Sequence, residues 1–118
     1  MGSEMCIRDR VNVVRETQLL KGVLDGCVLQ IISKKEIYGY ELVQELRGYG
    51  FETIVGGTIY PLLQKLEKQR LIKAELKKSP DGPDRKYFSL TEAGEEYLNS
   101  FKQQWENLVS KVERIIEE

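Results

Sequence analysis

One stretch near the middle of the chain, GGTIYPLLQKLEKQRLI, combines polar, cationic and apolar side chains at helical spacing. Its apolar side chains would share one helix face: Ile59, Leu62, Leu63 and Leu66. The opposite face would present Thr58, Tyr60, Pro61, Gln64, Lys65 and Lys68. Hydroxyl and ammonium groups bind phosphates, the amide of Gln64 can read a base edge, and Pro61 can contact a thymine methyl. This outer face is therefore predicted to contact double-stranded DNA.

Each of these side chains, taken alone, also fits an ordinary structural role. Tyr60 could be a packing aromatic, and the lysines could form a solvated helix face. The predicted fold around this helix distinguishes the two interpretations, because a DNA-binding helix needs neighbouring elements that hold it in the major groove.

Charge is distributed unevenly along a chain whose net charge is only −1. Residues 64–86 contain eight Lys or Arg and four Asp or Glu, whereas residues 91–118 contain three and seven. The molecule is thus basic in one segment and acidic in another, and the basic segment overlaps the second half of the stretch described above. The alternative is that both segments are simply solvated surfaces.

Three helices are predicted before and within this stretch. Apolar residues at helical spacing indicate a first helix over residues 17–33, and a polar break separates it from a second helix over residues 38–47. Gly48 is expected as its left-handed cap, and residues 51–55 as a short extended piece. Gly56 and Gly57 would let the backbone turn sharply, so that Pro61 falls in the first turn of the third helix, where its missing N–H costs little.

A β-hairpin and a fourth helix follow. Ile72, Ala74 and Leu76 alternate with charged residues, which predicts a half-buried strand over residues 71–78. SPDGPD predicts a turn with positive φ at Asp81-Gly82, and residues 85–90 form the return strand. Basic side chains of this hairpin would add charge to the predicted DNA-binding surface: Lys77, Lys78, Arg85 and Lys86. Thr91 is expected to cap the final helix.

Three helices followed by a hairpin is the order of a winged helix-turn-helix, in which the third helix enters the major groove and the hairpin is the wing. The predicted fold class is mainly α with a small β-hairpin wing (α+β), extended by a long C-terminal helix. Residues 11–90 are assigned to the DNA-binding domain and residues 91–118 to a dimerisation helix. Residues 1–10 are treated as a tail, disordered or foreign to the natural protein.

The final helix carries an apolar seam with the 3, 4 spacing of a coiled coil: Leu98, Phe101, Trp105, Leu108, Val112 and Ile115. A winged domain of this size does not cover so long a stripe, so a second copy related by a twofold axis is the expected cover. The alternative is packing within one chain on the first helix alone.

A tryptophan in such a seam is too large to pack closely on its own symmetry mate. Splayed helices would leave a cavity at the twofold axis, lined by Phe101 and Trp105, that could admit a planar aromatic or phenolic effector. In the alternative interpretation, Trp105 only anchors the dimer.

The residues of three segments resemble the PadR family of bacterial transcriptional regulators. They are YGYEL (38–42), GTIYPLLQKLEKQRLIKAE (57–75) and GPDRKYFSLTEAG (82–94). The resemblance implies a dimeric winged-helix repressor that binds inverted-repeat operators and is released by a small effector. The single helix after the wing is typical of the short subfamily, in which this helix forms the dimer with the first helix of the partner.

The same resemblance places part of the predicted surface on the family's DNA-reading helix: Thr58, Tyr60, Pro61, Gln64 and Lys65. It places Arg85 and Lys86 at the wing. Arg70 departs from the family pattern, because many members have glycine there. If this residue adopts a left-handed conformation, the arginine carries a conformational penalty.

Enzymatic function is not expected. The chain has no His, the commonest general base and metal ligand, and Cys27 falls on the buried face of the first helix. No phosphate-binding loop, metal-ligand spacing or dinucleotide fingerprint is present, so no cofactor, metal or catalytic residue is predicted. A winged-helix protein-interaction module without DNA binding remains the alternative function.

Two cysteines provide no disulfide framework, and no apolar run reaches the roughly 20 residues of a membrane span. The N-terminal residues MGSEMCIRDR lack the apolar core of a secretory signal. We therefore expect a cytoplasmic protein with no membrane partner.

Overall fold

A computed structural model describes residues 14–117, so the predicted tail lies outside the described residues. The helices are α1 (Glu16–Leu19), α2 (Leu24–Lys34), α3 (Gly39–Gly48), α4 (Gly56–Lys68) and α5 (Glu92–Glu117). The strands are β1 (Ile37–Tyr38), β2 (Ile72–Ser79) and β3 (Gly82–Leu90). The predicted fold class, mainly helical with a small antiparallel sheet and a long C-terminal helix, is confirmed.

The sheet has three strands rather than the two of the predicted hairpin. They follow the order β1-β3-β2, and Ile37 of β1 pairs with Phe88 of β3. A strand of two residues is too short to show an alternating pattern, and for this reason the sequence did not reveal it. Ile37 is fully buried, so β1 ties the polar segment after α2 to the sheet and to the core.

One apolar core joins the helices to the inner face of the sheet. The side chains predicted to face inward from α4 are all buried, as are Leu42, Val43 and Leu46 of α3. Phe88 brings β3 into the same cluster, and Leu98 brings in α5. The periodicities read for α3 and α4 are thus confirmed, because the repeating apolar face of each helix is buried in the core.

The region predicted as one first helix is interrupted. Gly22 has a φ of +84°, and this left-handed residue separates α1 from α2. A similar correction applies to the end of α3, where Gly48 is still helical and Gly50 is the left-handed residue, with a φ of +108°. Residues 51–55 contain a turn at Glu52 and Thr53, and only the last of them, Val55, is shown with extended backbone angles, so the predicted extended segment is not a strand.

The start of α4 also differs from the prediction. Gly56 and Gly57 are the first two helical residues, so Pro61 lies in the second turn and not in the first. Pro61 therefore has no N–H to donate to the carbonyl of Gly57, four residues earlier. The glycines were interpreted as a sharp turn because they are poor helix formers, but the packing of Tyr60, described below, overrides that propensity.

The wing turns through Pro80 and Asp81, since Ser79 pairs directly with Gly82. Neither Asp81 nor Gly82 has a positive φ, contrary to the prediction. Leu76 was expected to be half-buried but is 68% exposed, because the hairpin extends beyond the helices that cover its base.

The junction between the wing and α5 is fixed by hydrogen bonds. Arg70 is left-handed, with a φ of 62°, as the comparison with glycine at this position suggested. The Thr91 hydroxyl donates to the carbonyl of Arg70 at 2.7 Å and accepts from the N–H of Gly94 at 3.0 Å. Thr91 therefore caps α5 as predicted and also binds Arg70 in the turn between α4 and β2.

α5 leaves the core after its first turns. Leu98 is buried and Phe101 packs against the core, but the later seam residues are exposed in the single chain. Within residues 14–117, no helix combines the length and apolar character needed to cross a lipid bilayer.

Candidate nucleic-acid interface

The outer face of α4 is exposed along its length. The structure places all six side chains predicted for DNA contact on it: Thr58, Tyr60, Pro61, Gln64, Lys65 and Lys68. Because the other face of the same helix is buried in the core, α4 presents this surface on a fixed support. The orientation of the predicted residues is therefore established, and their contact with DNA stays a prediction.

Tyr60 has two roles in this surface. Its ring lies against Gly39, at the start of α3, and against Gly56, where an added Cβ would come within 2.7 Å of the ring. The side chain still exposes 48% of its surface. Tyr60 therefore anchors the start of α4 to the start of α3 while about half of the residue stays exposed.

The N-terminus of α4 lacks the usual protein partners. Val55 precedes it without a side-chain cap, and no acidic residue stands in the first turn. The N–H groups of Gly56 and Gly57 donate no backbone hydrogen bond within residues 14–117. Together with the positive end of the helix dipole, they favour an anion such as a phosphate at this position. The adjacent Thr58 is exposed and lies in the same turn.

The ammonium of Lys65 lies 2.8 Å from the carboxylate of Asp25, which belongs to α2. Both partners are partly exposed, so the pair contributes little to stability on its own. Gln64 and Lys68 are exposed on the same helix, and Lys68 forms no ion pair within residues 14–117. The α4 surface thus contains one paired and one unpaired lysine.

The wing separates its basic side chains onto two faces. Lys77 pairs with Arg85 across the strands, so both side chains lie on the outer face with Tyr38 and Tyr87. The Arg85 guanidinium carbon is 4.5 Å from the centre of the Tyr38 ring. Lys77 hydrogen-bonds Glu36, and this bond raises the pKa of Lys77, which is therefore cationic at neutral pH.

Lys86 lies on the other face of the wing, toward α4. Its ammonium is 3.0 Å from the Glu67 carboxylate, so this lysine links the wing to α4. Lys78, at the irregularity in the β2–β3 pairing, is exposed. The structure therefore brings Lys86 next to α4 and places Lys77 and Arg85 on the opposite side of the hairpin.

The sequence did not predict that three acidic residues pair with the basic side chains of this surface: Asp25, Glu36 and Glu67. Their partner lysines are 40, 41 and 19 residues away in sequence, respectively. No local pattern reports such pairs, because the fold alone brings the partners together. The sequence hinted at such ion pairs only through the presence of acidic residues close to the basic segment.

The seam of α5 divides into two parts. Leu98 and Phe101 pack on the chain's own core. Trp105 is 44% exposed, Leu108 53% and Ile115 72%, and Val112 is also exposed. The Phe101 ring occupies the space next to Gly26 of α2, so it is directed toward its own chain and not only along the seam.

The described residues include neither a metal-binding cluster nor a second cysteine beside Cys27. Among residues 14–117, no cluster of Cys, Asp and Glu has the arrangement needed to hold a metal ion. Cys27 is a free thiol, and burial raises its pKa, which keeps it neutral and weakly nucleophilic.

Comparison with known proteins agrees with this architecture. Residues 28–100 match the transcriptional regulator PadR-like family. A transcriptional regulator of Mycobacterium tuberculosis is 32% identical over 85 residues, covering 72% of this chain and 78% of that protein.

Solved structures are also similar. A Streptococcus transcriptional regulator has a TM-score of 0.77 at 67% identity, covering 85% of this chain and 98% of its own. A PadR-like transcriptional regulator from Bacillus cereus has a TM-score of 0.78 at 46% identity, covering 86% and 98%. Members of this family are transcriptional regulators and not enzymes; they bind DNA and typically dimerise. By the match over residues 28–100, this chain belongs to the PadR-like family of transcriptional regulators.

Proposed function

We propose that the protein binds operator DNA through α4 and the β2–β3 wing. The observation that carries the proposal is the two-sided character of α4: one face is buried, and the other exposes hydroxyl, amide and ammonium groups beside an uncapped N-terminus. Phosphates would bind at Thr58, the helix N-terminus and the lysines, while Gln64 reads a base edge.

The wing would contact the sugar-phosphate backbone beside the groove occupied by α4. Four basic side chains support this part of the proposal: Lys77, Lys78, Arg85 and Lys86. The hairpin extends beyond the core, as the exposure of Leu76 indicates, so it can reach DNA that lies against α4. Arg85 is held over Tyr38, which limits its conformations before binding.

We propose a homodimer built on α5. The exposed seam from Trp105 to Ile115 would pair with a second copy, since an uncovered apolar stripe of this length favours association. A twofold dimer places two α4 helices in related half-sites, so the operator would be an inverted repeat. Repression and a cytoplasmic location are the parts of the proposal that depend on the resemblance to the family.

Selection of bound sequences from a pool of random duplexes tests the proposal directly. We expect an enriched inverted repeat, and we expect log K for the selected duplex to fall linearly with log salt. If the protein were an interaction module without DNA binding, no sequence would be enriched and any residual binding would lack this steep salt dependence.

The dimer could also release DNA in response to an effector. A planar aromatic or phenolic compound would enter between the two α5 helices and stack on Trp105, next to Phe101. It would change operator affinity only if it prefers one spacing of the two α4 helices. Trp105 is the only tryptophan, so a titration should quench its fluorescence saturably and weaken operator binding in parallel. Quenching without any effect on operator binding would indicate that a ligand binds at Trp105 but does not regulate DNA binding.

A further inference from the structure

The turn between α4 and β2 touches the start of α5, and hydrogen bonds connect it to both helices. The N–H of Arg70 donates to the Glu67 carbonyl at 2.9 Å. The N–H of Leu71 donates to the Leu66 carbonyl at 3.0 Å, so both residues of the turn are bonded to the last turn of α4. These bonds satisfy carbonyls that the end of a helix would otherwise leave without partners.

The carbonyls of the same two residues are bonded to Thr91, directly before α5. The Thr91 hydroxyl donates to the carbonyl of Arg70 at 2.7 Å, and the Thr91 N–H donates to that of Leu71 at 3.1 Å. Thr91 in turn accepts from α5, through its hydroxyl from the N–H of Gly94 and through its carbonyl from that of Glu95. A continuous series of hydrogen bonds therefore runs from the end of α4 to the start of α5. We call the three residues Arg70, Leu71 and Thr91 the α4–α5 joint.

The α4–α5 joint is also closely packed. A Cβ added to Gly94, in the first turn of α5, would overlap the carbonyl oxygen of Leu71. It would also come within 2.9 Å of the Leu90 side chain. Because a backbone carbonyl does not move aside as a flexible side chain does, α5 lies this close to the joint only because residue 94 is glycine. Hydrogen bonds and close contact therefore both constrain the direction in which α5 leaves the domain.

A small change of angle at the joint is amplified along α5. Trp105, where the exposed part of the proposed dimer seam begins, lies about four helical turns after Thr91, or about 21 Å along the axis. Rotation of α5 by about 10° would therefore displace Trp105 by about 4 Å relative to α4. This displacement is close to the rise of one base pair, about 3.4 Å.

We propose that the α4–α5 joint sets the spacing of the two half-sites that the dimer accepts, with Thr91 as the positioning residue. In a twofold dimer built on α5, the angle between α4 and α5 determines how far apart the two α4 helices lie. Leu98 and Phe101 pack on the core and keep α5 attached, whereas the Thr91 hydroxyl limits the angle of the helix. This inference rests on the proposed binding of an inverted repeat by a dimer, and it adds the residue that makes one half-site spacing preferred.

Operators that differ only in spacing test this role by fluorescence anisotropy on the full chain. The duplexes are the selected operator, the same operator with one base pair inserted or removed at its centre, and a single half-site. One base pair changes the separation of the half-sites by about 3.4 Å and their relative rotation by about 35°. We expect the parent to bind both altered operators at least about tenfold more weakly than the selected one, because the two half-sites no longer bind together.

Thr91→Val keeps the shape of the side chain and removes both hydrogen bonds of the hydroxyl. We expect the ratio of affinities between the selected and the altered operators to fall by about two- to tenfold, the effect of one net hydrogen bond. Affinity for the single half-site should equal that of the parent, because it depends on the α4 surface and the wing and not on the angle of α5.

Two further substitutions separate the joint from the helix cap. Thr91→Asp keeps an acceptor for the N–H of Gly94 but has no hydrogen to donate to the carbonyl of Arg70, so it should preserve the cap and still lower the ratio. Thr91→Ser keeps the hydroxyl and should retain the parental ratio. Ser33→Ala, which removes a hydroxyl bonded to a carbonyl in α2, is the matched control and should also retain it.

An unchanged ratio in Thr91→Val and Thr91→Asp would overturn the inference, because the packing of Leu98 and Phe101 would then fix the angle without the hydroxyl. Equal weakening on every duplex, the half-site included, would also overturn it, since Thr91 would then act only through stability, which urea unfolding measures separately. A parent that binds the selected operator but tolerates the altered spacings would show that no angle is fixed. In contrast, a parent that enriches no inverted repeat would contradict the proposed function itself, on which this inference depends.

Discussion

Lys65 and Asp25 form an ion pair, with 2.8 Å between ammonium and carboxylate, that joins the exposed face of α4 to α2. A lysine proposed to bind phosphate is thus held by a carboxylate of its own chain. The carboxylate orients the lysine, but it also places negative charge where the DNA backbone would lie. Two opposite mutational effects are expected from the two partners.

Asp25→Asn should strengthen operator binding. The substitution keeps the size of the side chain and removes a negative charge next to the proposed phosphate contact, which predicts a gain of about two- to fivefold at low salt. The gain should shrink as salt rises, because salt screens the repulsion. Fluorescence anisotropy with the selected duplex measures it, and Glu96→Gln on α5 controls for the change in net charge. Weaker binding by Asp25→Asn would mean that orientation of Lys65 matters more than repulsion.

Lys65→Ala and Gln64→Ala should have different effects on DNA binding, the first on affinity and the second on sequence preference. Loss of a phosphate contact at Lys65 should weaken binding to all duplexes and flatten the salt slope by about one unit. Loss of the amide at Gln64 should instead relax the preference for particular bases in the half-site. Titrations at several salt concentrations, with the operator and with substituted operators, separate the two effects. If both variants bind like the parent, α4 does not lie in the groove.

Leu108→Asp should disrupt the dimer. It places an unpaired charge in the proposed seam, which costs several kcal/mol in an apolar contact. We expect a monomer in sedimentation velocity and a collapse of operator binding, since the two half-sites no longer act together. Asn107→Asp adds the same charge one residue away from the seam and should remain dimeric. A folded Leu108→Asp dimer would rule out this seam.

Gly39→Ala should destabilise the protein by about 1–3 kcal/mol, because the added methyl overlaps the Tyr60 ring and overpacks the contact between α3 and α4. Gly48→Ala is the matched control in the same helix. Nothing lies near its added methyl, so it should be stabilising by about 0.5–1 kcal/mol. Thermal or urea unfolding at a fixed protein concentration measures both. Adding Tyr60→Ala to Gly39→Ala should recover part of the loss, since it removes the overlapping ring.

Arg70→Gly should stabilise the protein by up to about 1 kcal/mol, because the φ of 62° favours a residue without a Cβ. Part of this gain is offset by the greater backbone freedom of glycine in the unfolded chain. Arg70→Ala keeps the Cβ and should show no such gain, which separates the backbone effect from the loss of charge. A similar change in unfolding temperature for both variants would argue against backbone strain.

The amino-acid pattern was sufficient to predict α3, α4 and α5, the buried faces of α3 and α4, and the outward side chains of α4. These features depend on periodicity within a single element, and the 3.6-residue repeat survives whatever the element packs against. The cap at Thr91 was also predicted, since a helix cap depends on its immediate neighbours. The left-handed conformation of Arg70 was suggested by the resemblance to the family, in which many members have glycine at this position. Membership of a family added the expected order of the elements.

Which basic side chains form ion pairs depends on how the elements pack, and local sequence patterns did not predict it. Asp25 meets Lys65, and Glu67 meets Lys86, through contacts between residues distant in sequence. The tertiary structure also decided that Tyr60 supports the start of α4 and that Leu76 is left uncovered, against the expectation from alternation. In each case the periodicity of the sequence determines which face of its helix or strand a side chain occupies. The residues that this side chain contacts depend on how the helices and strands pack against each other.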